Sequence, residues 1–191
     1  VRSQIAHANI TGVDINEARV SLGVHAVYTA VDFDGVMENR MAGIPVENVD
    51  GTTAPIPYRP VLASKRVLFA GEAVAMVVAD TLKNARDAAE MILIEYDYLP
   101  TTMELDFAGE VLHDEAPNNL AYDWGFGDRI ATNAAFEAAA HTVSLDIEHN
   151  RVICNSMEPR TCYAEVDGDK MHLCFSGQGV WGMKRTLAGA F

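Results

Sequence analysis

Cysteine is scarce in this sequence. The 191 residues include three cysteines, Cys154, Cys162 and Cys174, which lie in the last quarter of the chain and form no Cys-x-x-Cys pair. An odd number at such spacings argues against a disulfide framework and against a cysteine-based zinc site. We therefore expect buried, reduced thiols and a cytoplasmic location.

Basic residues are also few. The 14 Lys and Arg residues are outnumbered by 27 Asp and Glu residues, so the formal net charge is −13. Binding to nucleic acid needs a basic surface that neutralises phosphates, and an anionic membrane surface makes the same demand. The chain also lacks the run of about 18 apolar residues that a membrane-spanning helix requires. The composition therefore predicts neither a nucleic-acid partner nor a membrane span.

Metal-ligand spacing is missing as well. None of the six histidines lies in a His-x-x-x-His or His-Glu-x-x-His pattern, which is the spacing of many zinc sites. The Gly-x-Ser-x-Gly pattern of acyl-transfer nucleophiles is absent too. We interpret the histidines as structural residues, and composition alone names no chemistry.

Periodicity and turn residues predict a mixture of strands and helices in the first half of the chain. Gly and Pro residues break regular structure from 34 to 60. Gly71 is expected to mark a bulge or a close backbone approach, and Glu72 to cap it. The predicted elements are strands at residues 8–14, 23–29 and 92–98, one or two buried strands within 65–79, and helical segments at residues 15–21 and 81–92.

The second half begins with a polar connector and continues with alternating elements. Alternating hydrophobicity predicts a strand at 141–148 with one solvent-facing side. Asp167-Gly168-Asp169 between two apolar runs predicts a hairpin. Helices are expected at about 128–140 and from residue 180 onward.

A glycine-rich stretch follows the predicted hairpin. Gly177-Gln178-Gly179-Val180-Trp181-Gly182 spells Gly-x-Gly-x-x-Gly between a strand and a helix, which in dinucleotide-binding proteins cradles a pyrophosphate. Here the strand belongs to a hairpin rather than to a strand–helix–strand crossover, and the acidic ribose-binding residue would fall after Phe191. We therefore consider NAD or FAD binding less well supported than the family resemblance described next.

Five segments in sequence order carry a resemblance. They are Val1–Ile10, Gly71–Ala75, His113–Leu120, Asn155–Arg160 and the loop Ser176–Gly179. Together they resemble the large, molybdenum-binding subunit of the xanthine dehydrogenase and aerobic carbon monoxide dehydrogenase family. The departures are Gln4 and Ala73 where the family usually has Pro, Val180 where many members have Pro, and Trp181 where many have His.

The resemblance implies a fold of the α+β / α/β class. Residues 1–105 would form a hammerhead-like α/β domain, residues 106–124 a connector, and residues 125–191 the beginning of an α+β molybdopterin-binding domain. Gln178 matches by position a family Gln that donates a hydrogen bond to an oxo ligand of molybdenum, with Gly177 and Gly179 beside it in the cofactor-binding loop. An amide N–H can donate without adding charge or acting as a base. A Gln that merely caps a helix in a glycine-rich turn is the competing interpretation.

The resemblance also implies a function. Family members hydroxylate an aldehyde or N-heterocycle with oxygen from water, or oxidise carbon monoxide, and pass electrons to iron–sulfur and FAD-binding subunits or domains. The implied cofactor is molybdopterin, in its cytosine dinucleotide form, with molybdenum. The segment alone is expected to bind none of it, because most of the family's active site lies beyond the matched part, and to be inactive.

The implied substrate is a small molecule, and a homo-oligomer is compatible with the resemblance. No residue here is assigned as a metal ligand. The alternative is a non-catalytic hammerhead-type interaction or scaffold module. A reading frame that continues past Phe191 into further glycine-rich cofactor loops would favour the enzyme.

Overall fold

A computed structural model describes residues 1–41, 43–103, 109–150, 152 and 155–191. The chain divides into two compact units: unit 1 is Val1–Gly125 with Thr186–Phe191, and unit 2 is Phe126–Arg185. The predicted limit at residue 105 lies outside the described residues, so the domain boundaries at 1–105, 106–124 and 125–191 stay a prediction. In the described part of the chain, no helix has the length and apolar content that crossing a bilayer requires.

The described part of unit 1 contains two small antiparallel sheets, two helices and the end of the C-terminal helix, which begins in unit 2. Its elements are β1 (Ala8–Asp14), α1 (Asn16–Arg19), β2 (Val24–Thr29), β3 (Arg66–Val67), β4 (Ala75–Ala79), α2 (Leu82–Glu90) and β5 (Leu93–Tyr98). One sheet has the order β3–β1–β5, and the other pairs β2 with β4. These elements confirm the predicted strands and helical segments, and a short 3₁₀ turn at Ala30–Phe33 adds to them.

The core of unit 1 joins both sheets to the helices. Ala18, Val27, Ala75, Ala88 and Ile92 form one buried cluster, and Ala8, Ala63, Val67 and Val74 form a second. Val13 and Ile94 pack against both clusters, so the two sheets share one continuous apolar interior. The Thr81 hydroxyl accepts a hydrogen bond from the backbone N–H of Asn84 at 3.1 Å, which caps α2 at its predicted start.

The Gly71–Glu72 turn links β3 to β4. Gly71 has a φ of +97°, a region that glycine adopts far more readily than other residues. The Glu72 carboxylate accepts the backbone N–H of Leu68 at 2.6 Å and is only 6% exposed. Glu72 thus accepts a backbone N–H as predicted, but it stabilises a turn rather than a bulge, because β3 and β4 do not pair with each other. The Gly71 N–H donates to the Ser3 carbonyl at 2.7 Å, so a close backbone approach is the alternative that holds.

Residues 109–119 form a closed loop held to the rest of unit 1. The Asn119 side chain accepts the backbone N–H of Leu112 at 3.1 Å and donates to the Glu110 carbonyl at 3.0 Å. Arg66 donates to the Leu112 carbonyl at 2.9 Å, and the Glu115 carboxylate accepts the backbone N–H of Tyr58 at 3.0 Å. This part of the predicted connector therefore belongs to unit 1 and is bound to it by side-chain hydrogen bonds.

The stability of unit 1 should fall in mild acid because of His113. Burial is the main cause that lowers the pKa of His113; the nearby Glu115 carboxylate opposes it and the Arg66 guanidinium adds to it. Since the folded-state pKa lies below the unfolded value of about 6.5, protonation favours the unfolded chain. The contribution of neutral His113 is complete above that pH and is lost as the pH falls through it towards the folded-state pKa.

Urea midpoints measured just above and about one unit below pH 6.5 test this expectation. His113→Gln should lose less stability on acidification than the unmodified chain, whereas His141→Gln, at an exposed position, should behave like the unmodified chain. Equal pH dependence in the unmodified chain and His113→Gln would show that His113 is not the responsible group.

Unit 2 has regular elements but no buried side chains within them. It contains α3 (Arg129–Ala138), β6 (Cys162–Asp167), β7 (Lys170–Phe175) and the start of α4 (Val180–Ala190). Asp128 accepts the backbone N–H of Ala131 at 2.9 Å and caps α3. The hairpin pairs Asp167 with Lys170 around Gly168, which has a φ of +58°. Both helices and the hairpin were predicted, and the structure confirms them.

The predicted strand at 141–148 is wrong. Residues 141–150 form no regular element, and Val143, Leu145 and Ile147 are 93%, 79% and 70% exposed. A strand needs a neighbour for its backbone N–H and C=O groups, and none of the described strands pairs with this segment. The alternating pattern is compatible with a strand. Such a strand would form only if another strand were present to pair with it.

The prediction of buried thiols is also wrong for the two described cysteines. Cys162 and Cys174 are both exposed. Cys162 pairs with Phe175, and Cys174 with Tyr163, so the two thiols point to opposite faces of the hairpin. Their exposure has the same cause as that of segment 141–150: no described layer of unit 2 covers either face. Cys154 lies outside the described residues.

Candidate cofactor-binding loop

The loop Ser176–Gly179 joins β7 to α4 and is anchored at its first residue. The Ser176 backbone N–H donates to the Thr161 carbonyl at 3.0 Å. The Ser176 hydroxyl accepts the Thr161 backbone N–H at 3.0 Å and donates to the Pro159 carbonyl at 3.3 Å. These bonds extend the hairpin pairing by one residue pair and fix the base of the loop.

Two glycines give the loop its conformation. A Cβ atom on Gly177 would lie 2.5 Å from the Phe175 ring, which is well inside contact distance, so any side chain there would displace the ring. Gly179 has a φ of +79°, which disfavours other residues. The loop therefore needs glycine at both positions for separate reasons, one steric and one conformational.

Gln178 lies between these glycines and is exposed. Its amide forms no hydrogen bond with the described residues, those of the first turn of α4 included. The Gly179 carbonyl accepts the Met183 N–H at 3.1 Å, so the helix begins directly after the loop and leaves N–H groups of its first turn unpaired. The structure thus brings Gly177, Gln178 and Gly179 together on one exposed loop at a helix N-terminus.

The chemistry of these donors suits an oxygen-rich, anionic group. Gln178 offers an uncharged N–H, and the helix N-terminus offers backbone N–H groups and the positive end of the helix dipole. Lys184 and Arg185 follow in the next turn, with the Lys184 ammonium 5.6 Å from the centre of the Trp181 ring. A molybdopterin with its oxygen and phosphate groups fits this donor set, although one loop supplies only part of what would hold it.

The topology around the loop differs from that of a dinucleotide-binding site. β7 pairs antiparallel with β6 across a tight turn, whereas the dinucleotide fingerprint belongs to a parallel strand–helix–strand unit. In the described part of the chain, no group of three or more His, Cys, Asp or Glu side chains is placed to hold a metal ion. The loop Ser176–Gly179 itself offers hydrogen-bond donors and contains no His, Cys, Asp or Glu side chain.

Comparison with known families identifies the family of the chain. Residues 1–100 match the family described as aldehyde oxidase and xanthine dehydrogenase, a/b hammerhead domain. The chain belongs to this family. Residues 112–191 match the molybdopterin cofactor-binding domain, so the loop Ser176–Gly179 falls inside a segment of that type. The resemblance and the fold class expected from the sequence are confirmed.

Individual relatives agree with the family assignment. The chain is 32% identical to the nicotine 6-hydroxylase large subunit of Paenarthrobacter nicotinovorans, over 98% of the chain and 23% of that protein. It is 33% identical to the carbon monoxide dehydrogenase large chain of Hydrogenophaga pseudoflava, over 87% of the chain and 22% of that protein. The chain thus spans under a quarter of the length of these two relatives.

Two solved structures share the fold. The aldehyde oxidoreductase from Desulfovibrio gigas matches 99% of the chain and 21% of its own chain, with a TM-score of 0.78 and 28% identity. A Cu,Mo-carbon monoxide dehydrogenase matches 98% of the chain and 25% of its own chain, with a TM-score of 0.77 and 26% identity. Both similarities extend over unit 1 and unit 2 of the chain.

Sequence reasoning located the loop but missed what shapes it. The anchoring of Ser176 to Thr161 depends on the hairpin register, and the contact that excludes a side chain at Gly177 depends on the Phe175 rotamer. The position of Ser176, a small polar residue directly after a hairpin strand, was a signal in the sequence for the anchoring. The second had no signal in the sequence.

Proposed function

We propose that this chain is the N-terminal part of the large subunit of a molybdenum hydroxylase. The order of its two parts supports this most directly: a hammerhead segment is followed by a molybdopterin cofactor-binding segment. The relatives include a nicotine hydroxylase, a carbon monoxide dehydrogenase and an aldehyde oxidoreductase. The complete protein would then oxidise a small molecule, either an aldehyde, an N-heterocycle or carbon monoxide.

Within this proposal, the Ser176–Gly179 loop contributes to holding the cofactor. When bound, the molybdenum cofactor supplies the two-electron chemistry of the hydroxylation. Gln178 would donate an amide N–H to it, while Gly177 and Gly179 allow the backbone to approach closely. The anchored Ser176 limits the positions that Gln178 can take, which reduces the ordering cost when the cofactor binds.

The proposal extends to cofactor form, partners and location. The cofactor would carry the cytosine dinucleotide, and electrons would leave through iron–sulfur and FAD-binding subunits or domains. Named relatives include a subunit of a 6-hydroxypseudooxynicotine dehydrogenase complex, which supports assembly with other subunits. The complete enzyme would act in the cytoplasm and could form homo-oligomers.

The test uses the complete protein encoded by the reading frame that contains this segment. Purified with its partner subunits, it should contain molybdenum and release a cytosine nucleotide on acid hydrolysis, whereas residues 1–191 alone should contain neither. Stoichiometric molybdenum in the isolated segment would contradict its assignment as part of a larger site. A complete protein without molybdenum would favour the scaffold alternative.

Replacing Gln178 should weaken catalysis more than cofactor loading. In the complete enzyme, we expect Gln178→Ala to lower kcat/KM roughly 10- to 100-fold, the usual effect of removing a hydrogen bond that orients a metal centre. Gln4→Ala makes the same change at the other glutamine of the sequence, which is also exposed, and should leave kcat/KM unchanged.

Molybdenum content and the spectroscopic signature of the metal separate the possible causes. A changed signature at full molybdenum content is expected for Gln178→Ala. Unchanged kinetics and an unchanged signature would remove Gln178 from the site while leaving the family assignment intact.

A further inference from the structure

A cavity of about 580 Å³ is lined by residues of unit 1. Its wall is built from three stretches: Tyr58 and Pro60, residues 64–66 with Leu68, and residues 112–115 of the closed loop. Asn9 of β1 and Glu72 of the Gly71–Glu72 turn complete it. The volume is sufficient for a small organic molecule.

Charged groups of both signs line this cavity without pairing across it. Lys65 and Arg66 are the cations, and Glu72, Asp114 and Glu115 are the carboxylates. The ion pairs formed by the described residues all lie elsewhere. Lys65 is exposed, and its side-chain ammonium has no hydrogen-bond partner among the described residues.

The hydrogen bonds that these charged groups do form are mostly to the backbone. Arg66 donates to the Leu112 carbonyl, and the Glu115 carboxylate accepts the Tyr58 N–H. Such bonds position the side chains, and none of the ion pairs of the described residues joins the two signs across the cavity. The pKa of the Glu115 carboxyl is lowered mainly by backbone hydrogen bonds and to a lesser extent by the Arg40 guanidinium, so its charge is already partly compensated.

Glu72 is the most constrained of these groups. It is only 6% exposed, and the Leu68 N–H is the one partner of its carboxylate among the described residues. An ionised carboxylate can accept about four hydrogen bonds, and a buried one is costly unless it is paired. The Glu72 carboxylate therefore has acceptor capacity left for a cationic donor in the cavity.

His113 adds a neutral polar group to the wall. Burial is the main cause that lowers its pKa, so near neutral pH the imidazole offers one donor and one acceptor and no charge. It can bind polar atoms of a ligand without repelling either charged end.

We propose that this cavity binds a small zwitterion, a molecule that carries an ammonium group and a carboxylate. The ammonium pairs with Glu72, and the carboxylate pairs with Lys65 and Arg66. A simple anion would face the three carboxylates of the wall, and a simple cation would face its two basic residues. A zwitterion compensates both signs in one binding event. The site uses residues of unit 1 alone and does not depend on the proposed hydroxylase function.

The first test compares matched ligands on the whole 191-residue chain. Glycine, 4-aminobutyrate and 6-aminohexanoate sample three charge separations, while butyrate and butylamine carry one charge each. Backbone amide NMR is expected to show saturable shifts at residues 64–68 and 112–115 with at least one zwitterion, and no saturable shifts with butyrate or butylamine. Absence of saturable shifts with all three zwitterions, or equal shifts with butyrate, would overturn the proposal.

The second test removes one charge. Lys65→Met keeps the length of an exposed side chain and should weaken binding of the responding zwitterion about tenfold or more, because a charge-assisted bond is lost. Lys83→Met makes the same change on α2, where Lys83 pairs with Asp87, and should not alter affinity. Unchanged affinity in Lys65→Met would contradict the assigned role of Lys65.

Glu72→Gln tests the other end of the site. It should abolish saturable binding of the zwitterion, because the amide cannot neutralise an ammonium group. Retained affinity in a folded Glu72→Gln protein would overturn the pairing. Should this variant fail to fold, Lys65→Met decides alone, since its side chain is not part of the core.

Discussion

Replacing Val74 by aspartate is expected to unfold unit 1. Val74 is fully buried against Ala8, Ala63 and Val67, and the partly buried residues packed on this cluster are Ile5, Ile10, Val13, Ile94 and Tyr96. A buried carboxylate without a partner costs several kcal/mol, while domains of this kind are stabilised by only about 5–15 kcal/mol in total. Circular dichroism and urea unfolding would measure the loss.

Two further variants turn this expectation into a graded test. Val74→Ala should destabilise unit 1 by about 2 kcal/mol, because it removes two buried methyl groups and leaves a small cavity. Val20→Asp introduces the same charge at a position that is 85% exposed and should change the midpoint little. A Val74→Asp protein that unfolds at the same urea concentration as Val20→Asp would show that this cluster does not stabilise the fold.

Hydrogen exchange is expected to differ strongly between the two units. Core amides of β1, β5 and α2 should be protected roughly 10³- to 10⁴-fold, which corresponds to a stability of about 5 kcal/mol. The β6–β7 hairpin lacks a covering layer among the described residues, and an isolated hairpin is marginal in water, so we expect less than about tenfold protection there. Mass spectrometry of peptic fragments resolves both regions.

Limited proteolysis gives an independent measure of the same difference. The first cuts are expected in residues 141–150, which are exposed and form no regular element, rather than in the closed loop at 109–119. Because unit 2 exposes large apolar side chains such as Phe126, Ile130 and Val143, concentration-dependent association is also expected. Equal protection of hairpin and core in dilute, monomeric protein would contradict this account and favour the scaffold alternative.

Local pattern was sufficient for most elements of the chain. The starts of α2 and α3, the Asp167-Gly168-Asp169 turn and the Gly71–Glu72 interruption depend on residues within a few positions of one another, and all four occur close to where the sequence predicts them. The strand at 141–148 failed because its formation depends on a partner rather than on its own pattern. The exposed thiols of Cys162 and Cys174 failed for the same reason, since burial needs a second layer.

At the candidate site, too, some features could be predicted from the sequence and others depended on the tertiary structure. Gln178 and its flanking glycines were identified from the resemblance, and their assignment to the cofactor is still a prediction. The anchoring of Ser176 and the crowding of Gly177 by Phe175 became visible only with the hairpin register. The charged cavity of unit 1 was not foreseen at all, because Lys65, Glu72 and His113 are separated in the sequence.

The sequence by itself determined the family, the order of the hammerhead and cofactor-binding segments, and the type of nearly every element. Those properties are encoded in motifs and periodicities that extend over a few residues. Only the tertiary structure decided that β1 lies between β3 and β5, that residues 109–119 are bound to unit 1, and that opposite charges meet around one cavity without pairing. Such features depend on contacts between residues far apart in the chain, whose free energy comes from burial and hydrogen bonding rather than from local propensity.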